Sequence, residues 1–157
     1  VKTALVVGAS SGIGLASRNA LAFGAQADTL GVYFDRPAQA HKFGSAGWYN
    51  NQAFAYYARR WGRIALSTNQ DAFQNPSKDW VIQKLRMMDR KLDLLVYSLA
   101  SPKRTIKGVG EYRSAIRPIN ETFKGITVDP FDAKLREIEI DPASADEIEA
   151  TVKVMGG

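Results

Sequence analysis

Residues 3–14 read Thr-Ala-Leu-Val-Val-Gly-Ala-Ser-Ser-Gly-Ile-Gly, and few folds accommodate such a run. After the leading threonine the first stretch is wholly apolar, as in a strand covered on both faces of a parallel sheet. The run breaks at Gly8, turns through Ala9, Ser10, Ser11 and Gly12, and enters a helix expected over 13–23 from Ile13 onward. Gly8 permits the tight turn, Gly12 lets the backbone approach a pyrophosphate, and Gly14 lets the helix lie close to the strand. Free N–H groups at the helix start, with the helix dipole behind them, would face the phosphates. Strand, glycine turn and helix in this order form the first unit of a dinucleotide fold. The helix carries one charge, Arg18, so most of its circumference is expected to be buried.

The next elements repeat the alternation. A second strand over 29–34 ends at Phe34 and Asp35, the latter 21 residues beyond Gly14. A carboxylate there can accept hydrogen bonds from both adenine-ribose hydroxyls and would repel a 2′-phosphate, which favours NAD(H) over NADP(H) despite the neighbouring Arg36. Residues 36–47 lack periodicity and could cover the adenine end; His41 lies among them as a loop histidine. A helix over 48–61 carries Trp48, Tyr49, Phe54, Tyr56, Tyr57 and Trp61, expected to pack on the sheet. After a third strand, 63–68, Asp71 and Ala72 are placed to meet the adenine, because ligands bind beyond the carboxyl ends of such strands. A turn aspartate capping a short helix fits Asp71 equally well. Ser77 is expected to cap a helix reaching about residue 91. A fourth strand, 92–98, is apolar enough to be central, and Leu99 and Ala100 follow it on the nicotinamide side. Four strands and three helices in alternation predict an α/β fold with a Rossmann-like, doubly wound parallel sheet.

From Pro102 the pattern changes. Residues 103–113 read as loop or hairpin. Lys103, Arg104, Lys107, Arg113 and Arg117 could steer a phosphate-bearing ligand, or simply form a solvated insertion. Strands follow near 126–128 and 135–140, then a helix opened by Ser144 with Glu147 at the spacing of a capping box. The expected organisation is one NAD-binding domain portion: core βα units over 1–101, a substrate-side insertion over 102–140, and a helix over 141–157 leading into a C-terminal part not seen here.

Composition excludes several chemistries. With no cysteine and one histidine, disulfides, thiolate catalysis and metal sites are not expected, and a reduced cytoplasmic compartment is. No apolar run reaches the ~18 residues of a membrane span. Residues 1–120 carry 17 Lys/Arg and 7 Asp/Glu, the remainder 4 and 9. The positive charge is spread over several elements without a nucleic-acid-binding motif, so a phosphate-bearing small ligand or an acidic carrier protein fits better than nucleic acid.

The G-x-x-x-G-x-G spacing resembles that of short-chain dehydrogenases/reductases. Longer stretches are more specific: Gly8 to Arg18, Gly31-Val-Tyr-Phe-Asp35, Gly44-Ser-Ala-Gly-Trp-Tyr-Asn50, Asp71-Ala-Phe73, Leu95-Val-Tyr-Ser-Leu-Ala-Ser-Pro102 and Arg117-Pro-Ile. In order and spacing they resemble the V-type enoyl-acyl-carrier-protein reductases, also called trans-2-enoyl-CoA reductases. The resemblance covers essentially the whole chain. It departs at Ile13, where that family often has tyrosine, and at Asp35, where glutamate is common. It implies NADH-dependent reduction of the C2=C3 bond of 2-enoyl-CoA or 2-enoyl-acyl-carrier-protein thioesters in fatty acid synthesis. Hydride would go to C3, and a tyrosine hydroxyl would stabilise the enolate before C2 is protonated. Gly8, Ala9, Ser10, Ser11, Gly12 and Ile13 would hold the pyrophosphate, Phe34 and Asp35 the adenosine ribose, Asp71 and Ala72 the adenine, Leu99 and Ala100 the nicotinamide half.

The family's catalytic tyrosine and lysine, nine positions apart, would lie beyond Gly157. Here only Tyr33 and Lys42 have that spacing, and Tyr33 falls within the second strand. No tyrosine precedes a lysine by four positions, the spacing of ordinary short-chain dehydrogenases. The expected entity is therefore the cofactor-binding portion of an enoyl reductase, inactive by itself and completed by further residues or a companion chain. The rivals are a 3-ketoacyl reductase, which should show Asn-Ala-Gly where Ser98-Leu-Ala stands, and a non-catalytic NAD-binding module.

Overall fold

A computed structural model describes residues 1–106 and 108–155. Lys107 of the basic stretch and the terminal Gly156-Gly157 lie outside the described residues. The chain divides into two compact units, Val1–Leu99 and Ala100–Gly157.

In the first unit the apolar runs become four parallel strands, β1 (Thr3–Val7), β2 (Asp28–Tyr33), β3 (Ala65–Asn69) and β4 (Leu94–Tyr97). Their order is β3-β2-β1-β4, so the chain steps outward from β1 and then returns to its other side. That reversal is the switch point at which such sheets bind ligands. Apart from Asp28 at the start of β2, β1 and β2 are apolar or neutral on both faces, and both are buried along their whole length. The crossovers put α1 (Gly12–Asn19) and α2 (Ala46–Arg60) on one face and α3 (Asn75–Met87) on the other. Strand alternation fills the two layers accordingly. Leu5, Val7, Leu30 and Val32 meet Val81, Trp80, Leu85 and Met88, while Phe54 and Ala58 meet Ala22, Leu15 and Phe23. The Rossmann-like parallel sheet expected from the strand pattern is the one observed.

Three local expectations need correction. The first helix is not buried around its circumference: Gly14 and Arg18 face inward, whereas Ile13 is 76% exposed and Ala16 and Asn19 lie open. Scarcity of charge does not imply burial, because small and neutral polar side chains tolerate water. After Asn19 this helix also continues as a π-helical turn, Ala20–Gly24. Nor do the α2 aromatics form a core. The inward stripe is Gly47, Asn51, Phe54 and Ala58, so four of the helix's five aromatics fall off it; Tyr49, Tyr56 and Tyr57 are exposed, as is Trp61 just past its end. Among the described residues β4 pairs with β1 alone, and Leu95 and Tyr97 are half exposed. Finally, Ser77 does not cap α3. With Pro76 in its first turn, where a missing N–H costs nothing, the helix begins ahead of the serine. The Ser77 hydroxyl instead donates to the carbonyls of Gln74 and Asp71.

In the second unit residues 103–113 form a hairpin, β5 (Lys103–Ile106) and β6 (Gly110–Arg113). A second hairpin joins β7 (Phe123–Val128) to β8 (Leu135–Ile140). The Phe123 ring lies over Gly125, occupying the space a side chain there would need. α4 (Ala145–Val154) packs on the first hairpin: the Arg104 guanidinium donates to the Lys153 carbonyl, and the Lys153 ammonium lies 4.8 Å from the Tyr112 ring centre. Its capping box is complete, with Glu147 N–H donating to Ser144 Oγ and Ser144 N–H to Glu147 Oε2.

Candidate functional site

The carboxyl ends of β1 to β4 bring most of the candidate residues to one edge of the sheet. At the end of β1 the chain turns at Gly8 (φ +84°), and the N–H groups of Gly8 and Ala9 both donate to Val32 O, at 2.9 and 3.0 Å. A side chain on Gly8 would strike the Ser98 carbonyl, and one on Gly14 would strike the Gly8 carbonyl. These two glycines therefore let β1, α1 and the end of β4 close on one another. Gly12 differs: its φ is +51°, and no atom lies within 4 Å of where its Cβ would be. That clearance faces solvent, beside the exposed Ser11 and Ile13.

α1 begins with Ser11 at its N-cap, whose side chain makes no capping bond. The first-turn N–H groups have no partner within the helix, so they remain free to meet an anion. Behind them Ala9 is fully buried and Ser10 nearly so. The Asn50 amide donates to Ser10 O at 3.1 Å, fastening the turn to α2.

Beyond β2, Phe34 is 76% exposed. Asp35 is anchored through its backbone, giving its N–H to Asn69 Oδ1 and accepting from Asn69 Nδ2, both at 2.8 Å. Its carboxylate turns toward the start of α2. Oδ1 accepts from Ser45 Oγ at 2.7 Å, whereas Oδ2 is buried without a hydrogen-bond partner. Beyond β3, Asp71 Oδ1 accepts the Phe73 N–H at 2.9 Å, so its carboxylate closes the turn ahead of α3. Ala72 and Leu99 pack against the α3-side core. Ala100, exposed, opens the second unit.

The most buried large side chain was not singled out by sequence reasoning. Arg18 has no exposed surface. Its guanidinium donates to Thr29 Oγ1 (3.2 Å), Asn51 Oδ1 (3.0 Å), Ser67 Oγ (3.0 Å) and Leu66 O (2.8 Å), and lies 4.2 Å from the Phe54 ring centre. Gly31 makes room, since any side chain there would strike the guanidinium. Burial lowers the Arg18 pKa to about 9, still above neutrality, so the cation is held by neutral acceptors and an aromatic face. The available signal was a lone charge in an uncharged helix, opposite a glycine in a strand.

Tyr33 and Lys42 do not form a proton-transfer pair. Tyr33 is 7% exposed, burial holds its phenol above the usual range, and its hydroxyl bonds Asn51 on the α2 side of the sheet. Lys42 lies in the 36–45 loop, bridged to Gln39 through the backbone. In the second unit the basic stretch is matched by acids: Lys103 and Arg113 both pair with Glu111, at 2.6 and 3.1 Å, and Arg117 pairs with Glu147 at 3.2 Å. The Lys103 ammonium holds the Glu111 carboxyl below its ordinary range. Among the described residues no cluster of His, Cys, Asp and Glu could hold a metal, and no helix is long and apolar enough to cross a membrane.

Comparison with known proteins adds the chain's relationships. Residues 1–40 match the NAD(P)H binding domain of trans-2-enoyl-CoA reductase, and residues 42–157 match the trans-2-enoyl-CoA reductase catalytic region. An enoyl-[acyl-carrier-protein] reductase [NADH] of Xanthomonas axonopodis is 49% identical over 99% of this chain, which spans 39% of that protein. The structure superposes on Treponema denticola trans-2-enoyl-CoA reductase in complex with NAD with a TM-score of 0.92 at 47% identity. It superposes on the Clostridium acetobutulicum enzyme in complex with NADH with a TM-score of 0.90 at 44% identity. Each superposition covers 99% of this chain, and 39% and 40% of the respective enzymes.

Proposed function

The chain belongs to the trans-2-enoyl-CoA reductase family, and we propose that it supplies the cofactor site of an NADH-dependent reductase of 2-enoyl thioesters. The observation that carries this is the glycine turn at the switch point. It combines an open Gly12, free first-turn N–H groups on α1, and a carboxylate at the end of β2 with one buried oxygen unmatched. These residues fit a dinucleotide: donors for a pyrophosphate, an acceptor for ribose hydroxyls, and exposed apolar surface at Ile13 and Phe34.

Bound here, NADH would supply the hydride that reaches C3 of the enoyl thioester. The chain's own residues bind and orient. Gly8 to Ile13 hold the pyrophosphate, Phe34 and Asp35 the adenosine ribose, Asp71 and Ala72 border the adenine, and Leu99 and Ala100 the nicotinamide half. Asp35 also repels a 2′-phosphate. The proton donor lies elsewhere, since Tyr33 is walled in; a tyrosine and lysine beyond Gly157, or on a companion chain, complete the reaction. The acyl group is carried by CoA or a carrier protein in cytoplasmic fatty acid synthesis, and the fold is that of a short-chain dehydrogenase relative.

The test is NADH oxidation by the full-length protein carrying these residues, with a short 2-enoyl-CoA as substrate. Turnover is expected, and Gly12→Val should abolish NADH binding by filling the open space. Reduction of a 3-ketoacyl thioester instead, or NADH binding with no turnover of any thioester, would replace this assignment with a ketoacyl reductase or a binding module. Residues 1–157 alone are expected not to turn over.

A further inference from the structure

The Asp35 carboxylate does not project freely from the end of β2. It lies across the first turn of α2, where Ser45 Oγ donates to Oδ1 at 2.7 Å. Gly47, two residues on, is buried, and a Cβ built on it would lie 2.5 Å from both carboxylate oxygens. Ser45 is itself fixed, its N–H donating to Arg36 O at 2.9 Å. A 15-residue helix presents its positive end to this carboxylate, so the two attract. Oδ2 is buried without a hydrogen-bond partner.

We propose that Ser45 and Gly47 are positioning residues for cofactor choice: they fix the Asp35 carboxylate where it accepts from the adenosine ribose and repels a 2′-phosphate. The proposal rests on the NADH site described above. Discrimination then belongs to the junction of β2 and α2 as a unit. A carboxylate free to swing into water would lose both its aim and much of its repulsion, because solvent screens an exposed charge. The three residues act through separate means. Asp35 carries the charge, Ser45 supplies the directional bond, and Gly47 supplies the space. An alanine at 47 would meet the end of a side chain rather than backbone, so the protein should fold while the carboxylate is displaced.

The experiment measures dissociation constants for NADH and NADPH, by direct binding to the full-length protein, for the natural sequence and for Asp35→Asn, Ser45→Ala, Ser45→Thr and Gly47→Ala, each with its thermal midpoint. The natural protein should prefer NADH, and Asp35→Asn should collapse the preference. Ser45→Ala and Gly47→Ala should each narrow the ratio of the two constants by roughly three- to tenfold with near-natural midpoints, and Ser45→Thr, which keeps the hydroxyl, should retain it. An unchanged ratio in both Ser45→Ala and Gly47→Ala, while Asp35→Asn collapses it, overturns the proposal and leaves the site intact. A ratio narrowed equally by Ser45→Thr overturns the role of the hydroxyl. Failure of the natural protein to bind NADH at all overturns the site itself, and the positioning role with it.

Discussion

Arg18 is the side chain whose environment departs furthest from its chemistry. A guanidinium is almost never fully buried without an anion; here all its observed partners are neutral, and they come from β2, β3 and α2. It works as a cross-link that seats α1, and with it the glycine turn, against the sheet. Arg18→Met keeps the bulk but strands several buried acceptors, so the urea midpoint of the full-length protein should fall by the equivalent of about 3 kcal/mol at unchanged slope. Arg18→Lys should recover little, because one ammonium cannot serve a fork of acceptors. A loss below about 1 kcal/mol for Arg18→Met would mean water replaces the guanidinium at little cost. Gly31→Ala should cost about 1–3 kcal/mol by the same measurement, since the added methyl group drives into the guanidinium. Neither position was legible as important. Arg18 reads as an ordinary helix charge until its acceptors, 11 to 49 residues away, are in place.

The helices and strands divide by how locally each is determined. α4 is opened by a complete capping box, both halves contained within four residues, and its start was readable from spacing alone. Ser144→Ala should cost about 1 kcal/mol, read as a lowered thermal midpoint. Glu147 adds a pH dependence. The Ser144 N–H and, less strongly, Arg117 depress its carboxyl below the ordinary value of 4.5. A depressed carboxylate contributes stability that is fully present above the ordinary value and lost as pH falls through the lowered one. Carbon chemical shifts of Glu147 should therefore titrate below 4.5, and Arg117→Gln, which removes the neighbouring charge, should move the transition upward. α2 is the opposite case. Its length was legible, but which aromatics face the sheet was not, because five aromatics spread around the helix leave the choice of stripe to Asn51, Phe54 and Ala58 finding partners.

At the scale of the whole molecule, the first unit is organised about β1, flanked on one side by β2 and β3 and on the other by β4. Ligand linkage gives the test at this scale. NADH at about a hundred times its dissociation constant should stabilise the full-length protein by about 2.7 kcal/mol, and the same concentration of NADPH should do less. Equal shifts from both would remove Asp35 as the discriminating group. The chain by itself determined the parallel sheet, the glycine turn and the start of α4, because apolar runs, glycine positions and a capping box act over a few residues. The tertiary structure alone decided three things: that Arg18 is interior, that most α2 aromatics are exterior, and that Asp35 is held by Ser45. Each of these turns on partners distant in sequence. A residue's own neighbours set its conformation, but only the packed sheet decides what its side chain meets.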